Sequence, residues 1–239
     1  MSIDVKGNII SSTDITNVGV FKSSIVRDGL ICYLDAGNQD SYPGSGTAWY
    51  DLTGNGNTGT LTNGPTFNSS NGGSIVFDGT NYVIVAHSTS LNISEKLTAS
   101  NWIYYSSGNG RIMQKDSASY TRLWETGGYS GTYRMEIWHS DGAATISYGN
   151  SLTVNGWMNL TMTFDGTNVR MYQNGILITT GGSFVGNIRT DITPLYIGGM
   201  WGASEFFFGR IATASVYNRA LNSYEIAENF QAQRGRFGI

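Results

Sequence analysis

Residues 157–175, WMNLTMTFDGTNVRMYQNG, limit what this chain can fold into more than any other stretch. Met158, Leu160, Met162 and Phe164 alternate with Asn159, Thr161 and Thr163, the two-residue period of a strand with one face in a core and the other in water. Asp165-Gly166 breaks the run. Val169 and Met171 resume it against Arg170 and Tyr172, and Asn174-Gly175 turns the chain into 176–180. Asp-Gly and Asn-Gly pairs supply the positive φ of tight hairpin turns. The segment therefore predicts three antiparallel strands in a meander.

The same alternation runs through most of the chain. Spans 30–34, 75–77, 82–86, 97–105, 111–115, 120–125, 133–138, 145–148, 194–198 and 206–217 read as strands, divided by Gly, Asn and Asp clusters at sandwich-like spacing. Phe206, Phe207 and Phe208 cannot all face inward in one strand. Only 222–234 reads as a helix: Asn222 can cap it, Glu225 can reach back to the cap, Ile226 and Phe230 face the body, and Gly235 ends it. Residues 1–28 are polar with scattered apolar pairs, Ile9-Ile10, Val20-Phe21 and Ile25-Val26, and no sustained period. We expect an all-β, antiparallel two-sheet sandwich over 29–239, a short C-terminal helix, and an extended N-terminal arm over 1–28. Such an arm frays alone. It is expected on its own sandwich or on a neighbouring subunit, with Ile9, Ile10, Val20 and Phe21 as candidate assembly contacts.

Composition removes several functions. Charged residues are 13 % of the chain, about half the ~25 % of ordinary globular domains. A net charge of −3 with no basic run argues against nucleic acid or an anionic membrane as partner. Cys32 is the single cysteine, so no intrachain disulfide exists, and its strand context predicts a buried thiol. The start, MSIDVKGNIISSTD, lacks an apolar signal core, and no stretch approaches the ~18 apolar residues of a membrane span. The sequons at Asn68, Asn92 and Asn159 read as chance matches.

The stretches GLICYLDAGN (29–38), SYPGSGTAWYDLTGNGNTGTLTNGPTF (41–67) and SIVFDGTNYVIV (74–85) resemble the opening of concanavalin A-like, or laminin-G-like, sandwich domains of tailed-phage structural proteins. The closing FGRIATASVYNRALNSYEIAENFQAQRGRFGI (208–239) resembles their last strand and helix, with Tyr217-Asn218-Arg219-Ala220-Leu221 matching position for position. The resemblance implies a jelly-roll sandwich. It also implies a virion surface protein, made in the host cytoplasm, with other virion proteins and further copies of itself as partners.

Glucanases of this fold carry Glu-x-Asp-x-x-Glu on one strand, which sets two carboxylates about 5–5.5 Å apart. None of the 17 acidic residues has that spacing. Glu225 and Glu228 fall on the helix. Glu125 and Glu136 lie on separate strands beside Trp124 and Trp138, a conceivable carboxylate pair. His87 and His139 have no nucleophile elbow and no zinc-ligand partners. Catalytic residues and cofactors are therefore not expected. Calcium alone stays open: residues 51–57, DLTGNGN, follow the oxygen-donor alternation of a calcium loop, but with one carboxylate and Thr62 in the twelfth place. Completing a site there would need backbone carbonyls and Asp35 or Asp78.

Sugar binding uses exposed aromatic faces with amide and carboxylate donors. Candidate glycan contacts are Trp201, isolated between Met200 and Gly202, then Trp124 and Trp138. The expectation is a non-enzymatic virion structural protein, a capsid decoration or head-fibre protein attached through its arm. The alternatives are a glycan-binding adhesin of the tail-fibre or receptor-binding kind and, third, a glycoside hydrolase.

Overall fold

The computed structural model describes residues 24–116, 122–182, 185–199 and 205–239, and the backbone of 2–3 and 9–10. Val20, Phe21 and Trp201 lie outside the described residues. Ile9 and Ile10 are described as backbone alone, the strand β2 (Ile9–Ile10) paired with β1 (Ser2–Ile3).

Sixteen further strands build the body: β3 (Leu30–Asp35), β4 (Ala48–Trp49), β5 (Gly59–Thr62), β6 (Thr66–Asn68), β7 (Ser74–Asp78), β8 (Tyr82–Val85), β9 (Leu97–Ser107), β10 (Gly110–Lys115), β11 (Trp124–Tyr129), β12 (Thr132–Trp138), β13 (Ala144–Ser151), β14 (Gly156–Phe164), β15 (Val169–Gln173), β16 (Ile176–Gly181), β17 (Leu195–Ile197) and β18 (Phe208–Tyr217). One sheet runs β13-β12-β11-β10-β17-β8-β5-β4. The other runs β16-β15-β14-β9-β18-β7-β6, with β3 also on β18. Every pairing between these strands is antiparallel. The fold is an all-β sandwich.

The meander forms as its turns dictate. β14, β15 and β16 pair in sequence order. Asp165 Oδ1 accepts from the N–H of Thr167 at 3.0 Å and of Asn168 at 2.7 Å. At the second turn Asn174 and Gly175 take φ of 52° and 77°. A Cβ on Gly175 would also stand 3.1 Å from Phe230 Cβ, so glycine serves both the turn and the packing there. Met158, Leu160, Met162 and Phe164 are at most 1 % exposed between the sheets, each burial contributing roughly 1.5–3 kcal/mol.

The opposite face of β14 is not wet, which corrects the simple reading of the alternation. Asn159, Thr161 and Thr163 are buried. Asn159 Nδ2 donates to Ser100 Oγ, the Ser100 and Thr161 hydroxyls share a 2.6 Å bond, and Ser215 Oγ donates to the Ser100 carbonyl. A short polar layer thus replaces water, and the sequon at Asn159 is inside it.

The helix α1 (Ser223–Phe237) covers this side of the sandwich. Asn222 Oδ1 accepts from Tyr224 N and Glu225 N at 3.0 Å each, and Glu225 Oε2 accepts from Asn222 N at 2.9 Å. Ile226 packs with Tyr33, Tyr172 and Tyr217, while Phe230 and Phe237 stack on Trp102 at 5.7 and 4.0 Å. Gly235 does not end the helix. The chain stays helical until Phe237 reaches Trp102, and Gly238, at φ 72°, closes it with an N–H to the Arg234 carbonyl. Residues 24–28 also pack here: Val26 N donates to Asn229 Oδ1 at 2.7 Å, and the Val26 carbonyl accepts from Tyr217 Oη at 3.1 Å.

Other boundaries differ for local reasons. β4, β5 and β6 span two to four residues, too short for a period to show. The last long strand starts at Phe208, with Phe207 buried at 1 % and Phe208 exposed at 45 %. β11 continues through Gly127-Gly128, read from sequence as a break, to Tyr129. No helix among the described residues is long and apolar enough to cross a membrane.

Candidate functional site

With α1 on the β9–β14–β18 side, the other sheet keeps an outer face that this helix does not cover. Register places its residues in rows. Thr60, Ile84, Tyr196, Gln114, Glu125, Glu136 and Ile146 are successive partners across seven strands. Two residues along, or three on β10 where a bulge intervenes, Arg111, Gly127, Arg134 and Tyr148 form a second row. The alternation on β12 explains the sorting. Tyr133, Met135 and Ile137 enter the core, so Arg134, Glu136 and Trp138 point outward.

Glu125 and Glu136 face each other directly, an arrangement that repels unless cations intervene. Guanidiniums provide them. Arg134 Nη1 lies 3.0 Å from Glu125 Oε1 and its Nη2 2.8 Å from Glu136 Oε2. Arg111 binds Glu125 Oε2, and Arg122 Nη1 is 3.5 Å from Glu136 Oε2. Gln114 Oε1 accepts from Arg111 Nη1 at 2.7 Å. Burial pulls the Arg111 guanidinium below its ordinary pKa, and the Glu205 carboxylate opposes that shift. A glycosidase acid needs a carboxyl placed to protonate a leaving oxygen. Here both carboxylates are bound by arginine side chains instead.

A narrow crevice with internal room for about one water molecule, ≈ 10 Å³, lies beside this network. Arg111, Glu125, Arg134 and Glu205 line it, with Tyr129 on its rim and the bare backbone of Gly127 and Gly128 as part of its wall. Gly127 tolerates no side chain: a Cβ would meet the Gly110 carbonyl oxygen at 2.8 Å. Tyr129 and Tyr148, 45 % and 51 % exposed, stand with ring centroids 6.5 Å apart. Arg134 lies 5.5 Å over the Tyr129 ring. Two open aromatic faces beside a charged cleft on paired strands can hold a sugar ring and hydrogen-bond its hydroxyls.

The tryptophans named from sequence fall elsewhere. Trp124 is 2 % exposed in the core cluster, so it presents no face to a sugar, which corrects its reading as a glycan contact. Trp138 is half-buried on the outer face, and its Nε1 is buried without a hydrogen-bond partner among the described residues. Tyr129 and Tyr148 were missed because aromatics in a sandwich are usually core. The available signals were the alternation of Ile146 and Tyr148 with Ser147, and Glu125, Gly127 and Tyr129 sharing one parity.

The 51–57 loop does not fit calcium. Asp51 Oδ1 accepts from Tyr33 N and Thr53 N, and Oδ2 from Thr53 Oγ1 and Asn57 N, so the carboxylate organises the loop's own donors. Asp35 accepts from Arg236 Nη1 at 2.6 Å, and Asp78 from Thr80. Among the described residues no cluster of His, Cys, Asp and Glu is placed to hold a metal. A much wider groove, ≈ 470 Å³, runs between 24–27 and α1. Some of its polar groups are engaged internally: Gln233 bonds Tyr33 Oη and Trp102 Nε1, and Asp35 bonds Arg236, while Arg27 and Gln231 also line it.

A family profile described as concanavalin A-like lectin/glucanases superfamily matches residues 77–227, more than half of the chain. The chain belongs to that superfamily. Solved structures share the superfamily's sandwich at low identity. The binding domain of Paraclostridial mosquitocidal protein 1 matches with a TM-score of 0.68 and 20 % identity, over 85 % of this chain and 52 % of that one. The botulinum neurotoxin serotype D ligand-binding domain, solved with N-acetylneuraminic acid, matches at 0.70 and 14 %, over 87 % and 52 %. Domain 4 of an extracellular GH43 arabinanase from Geobacillus stearothermophilus, solved with arabinotriose, matches at 0.65 and 18 %, over 84 % and 98 %. The chain thus spans about half the length of these toxin domains and nearly all of the arabinanase domain. A search of curated proteins returned no match.

Proposed function

We propose that this chain is a non-enzymatic glycan-binding module that holds sugar on the outer face of β10–β13. The observation that carries the reading is the pair of exposed rings, Tyr129 and Tyr148, beside the Arg111–Glu125–Arg134 cleft. Support comes from the ligands in two of the matched structures, arabinotriose and N-acetylneuraminic acid. A glycan array run with wild type and Tyr148→Ala tests it. Loss of the ring is expected to weaken the best wild-type signal roughly three- to tenfold. No wild-type signal on any glycan, or the same signal from the variant, contradicts the reading.

A second reading concerns where the module works. The resemblance of 29–85 and 208–239 to tailed-phage structural proteins favours a decoration or head-fibre protein on a virion surface, joined to other virion proteins through 1–28 and carrying its sugar face outward. Deleting residues 1–25 is then expected to abolish incorporation into particles. Unchanged occupancy would remove the arm as the attachment device.

A further inference from the structure

We propose that the cleft selects a sugar bearing a carboxylate, and that Glu205 occupies on Arg111 the place the sugar's carboxylate takes. This rests on the glycan-binding reading above and names the ligand class of that site.

Seven charges meet around the cleft: Arg111, Arg122 and Arg134 against Asp116, Glu125, Glu136 and Glu205. They differ sharply in burial. The side chains of Glu125 and Glu136 are 8 % and 3 % exposed, whereas that of Glu205 is 38 % exposed. Glu125, in the wall, and Glu136 are therefore held in place, and Glu205 is the one that regains hydration on leaving, at the expense of its pairing with Arg111.

Its contacts are those of a ligand. Glu205 Oε2 alone takes Arg111 Nε at 2.9 Å and Nη2 at 2.8 Å. Its backbone is held separately: Arg111 N donates to the Glu205 carbonyl at 3.1 Å, and Arg111 bridges to Phe206. The side chain can swing out while the segment stays in place. Three guanidiniums then face Glu125, Glu136 and Asp116, and it is the vacated Arg111 fork, not a net positive charge, that is open to an incoming anion. A guanidinium fork matches a carboxylate better than it matches a hydroxyl. The wall at Gly127 and Gly128 offers no side chain to block approach, and Tyr129 and Tyr148 are placed for the ring. A neutral sugar could use the rings but could not replace Glu205.

Calorimetric titration of wild type, Glu205→Ala and Glu205→Gln with N-acetylneuraminic acid, galacturonic acid and their methyl esters tests this. For at least one acid, wild type is expected to bind the acid more tightly than its ester. Both variants are expected to raise the ratio of acid to ester affinity about fivefold. Equal binding of acid and ester in all three proteins overturns the inference, as does a ratio that rises in neither variant. If a neutral glycan still binds and loses affinity in Tyr148→Ala, the glycan-binding reading survives and only the carboxylate selection fails. If neither acid, neither ester nor any array glycan binds, both fall.

Discussion

The Lys115 ammonium sits at the end of β10, 1 % exposed, donating to the Thr193 carbonyl at 2.6 Å and the Asp191 carbonyl at 3.2 Å. Burial pushes its pKa down to about 8 from the ordinary 10.5, against the pull of Asp191. The folded protein therefore releases this proton before the unfolded chain does. Over that window the unfolded chain binds more protons, so stability rises with pH from about 8 towards 10.5. Urea unfolding at pH 7.5 and 9.5 checks it: wild type should gain on Lys115→Met at the higher pH, and a constant difference would contradict the shift. Trp124 makes a second case. Because it fills the core, Trp124→Ala should cost about 3–5 kcal/mol in unfolding free energy, while the folded fraction keeps its glycan affinity. Lost affinity at full stability would return Trp124 to the site.

Among the elements, α1 is the one whose making can be followed from its residues. Asn222, Glu225 and Arg219 form one unit: Arg219 Nη2 and Nη1 lie 2.7 and 2.9 Å from the two Glu225 oxygens, and Glu225 also accepts from Asn222 N. Asn222→Ala should lower stability by about 1 kcal/mol, read from denaturant unfolding. The Arg219 hydrogen bond leads in holding the Glu225 carboxyl below its ordinary pKa, against its partial burial. Its contribution is complete above the ordinary carboxylate range and is lost as pH falls through the folded value. Glu225→Gln should therefore flatten part of the acid limb of the stability profile, and an unchanged limb would contradict that. The cap and the meander were legible in sequence because each depends on residues within a few positions of one another. The helix end was not: Gly235 was the local signal, but Phe237 had to reach Trp102, 135 positions earlier in the chain. β4 to β6 hid for the opposite reason, being too short to repeat anything.

At the scale of the whole molecule, the two sheets have unlike outer faces. The β9–β14–β18 side is closed by α1, the root of the arm and a layer of hydrogen-bonded Ser, Thr and Asn, while the β10–β13 side carries the arginine–glutamate rows and open tyrosines. The superfamily was readable from 29–85 and 208–239, but the site was not. Arg111, Glu125, Arg134 and Tyr148 lie on four strands and meet only through pairing register. Amide chemical-shift mapping, titrating labelled protein with the best array glycan, tests the central claim most directly. The account predicts perturbations centred on Gly127, Gly128, Arg134 and Tyr148. Perturbations centred instead on the groove of Ile25, Arg27, Gln231 and Gln233, or none with any glycan, would contradict it.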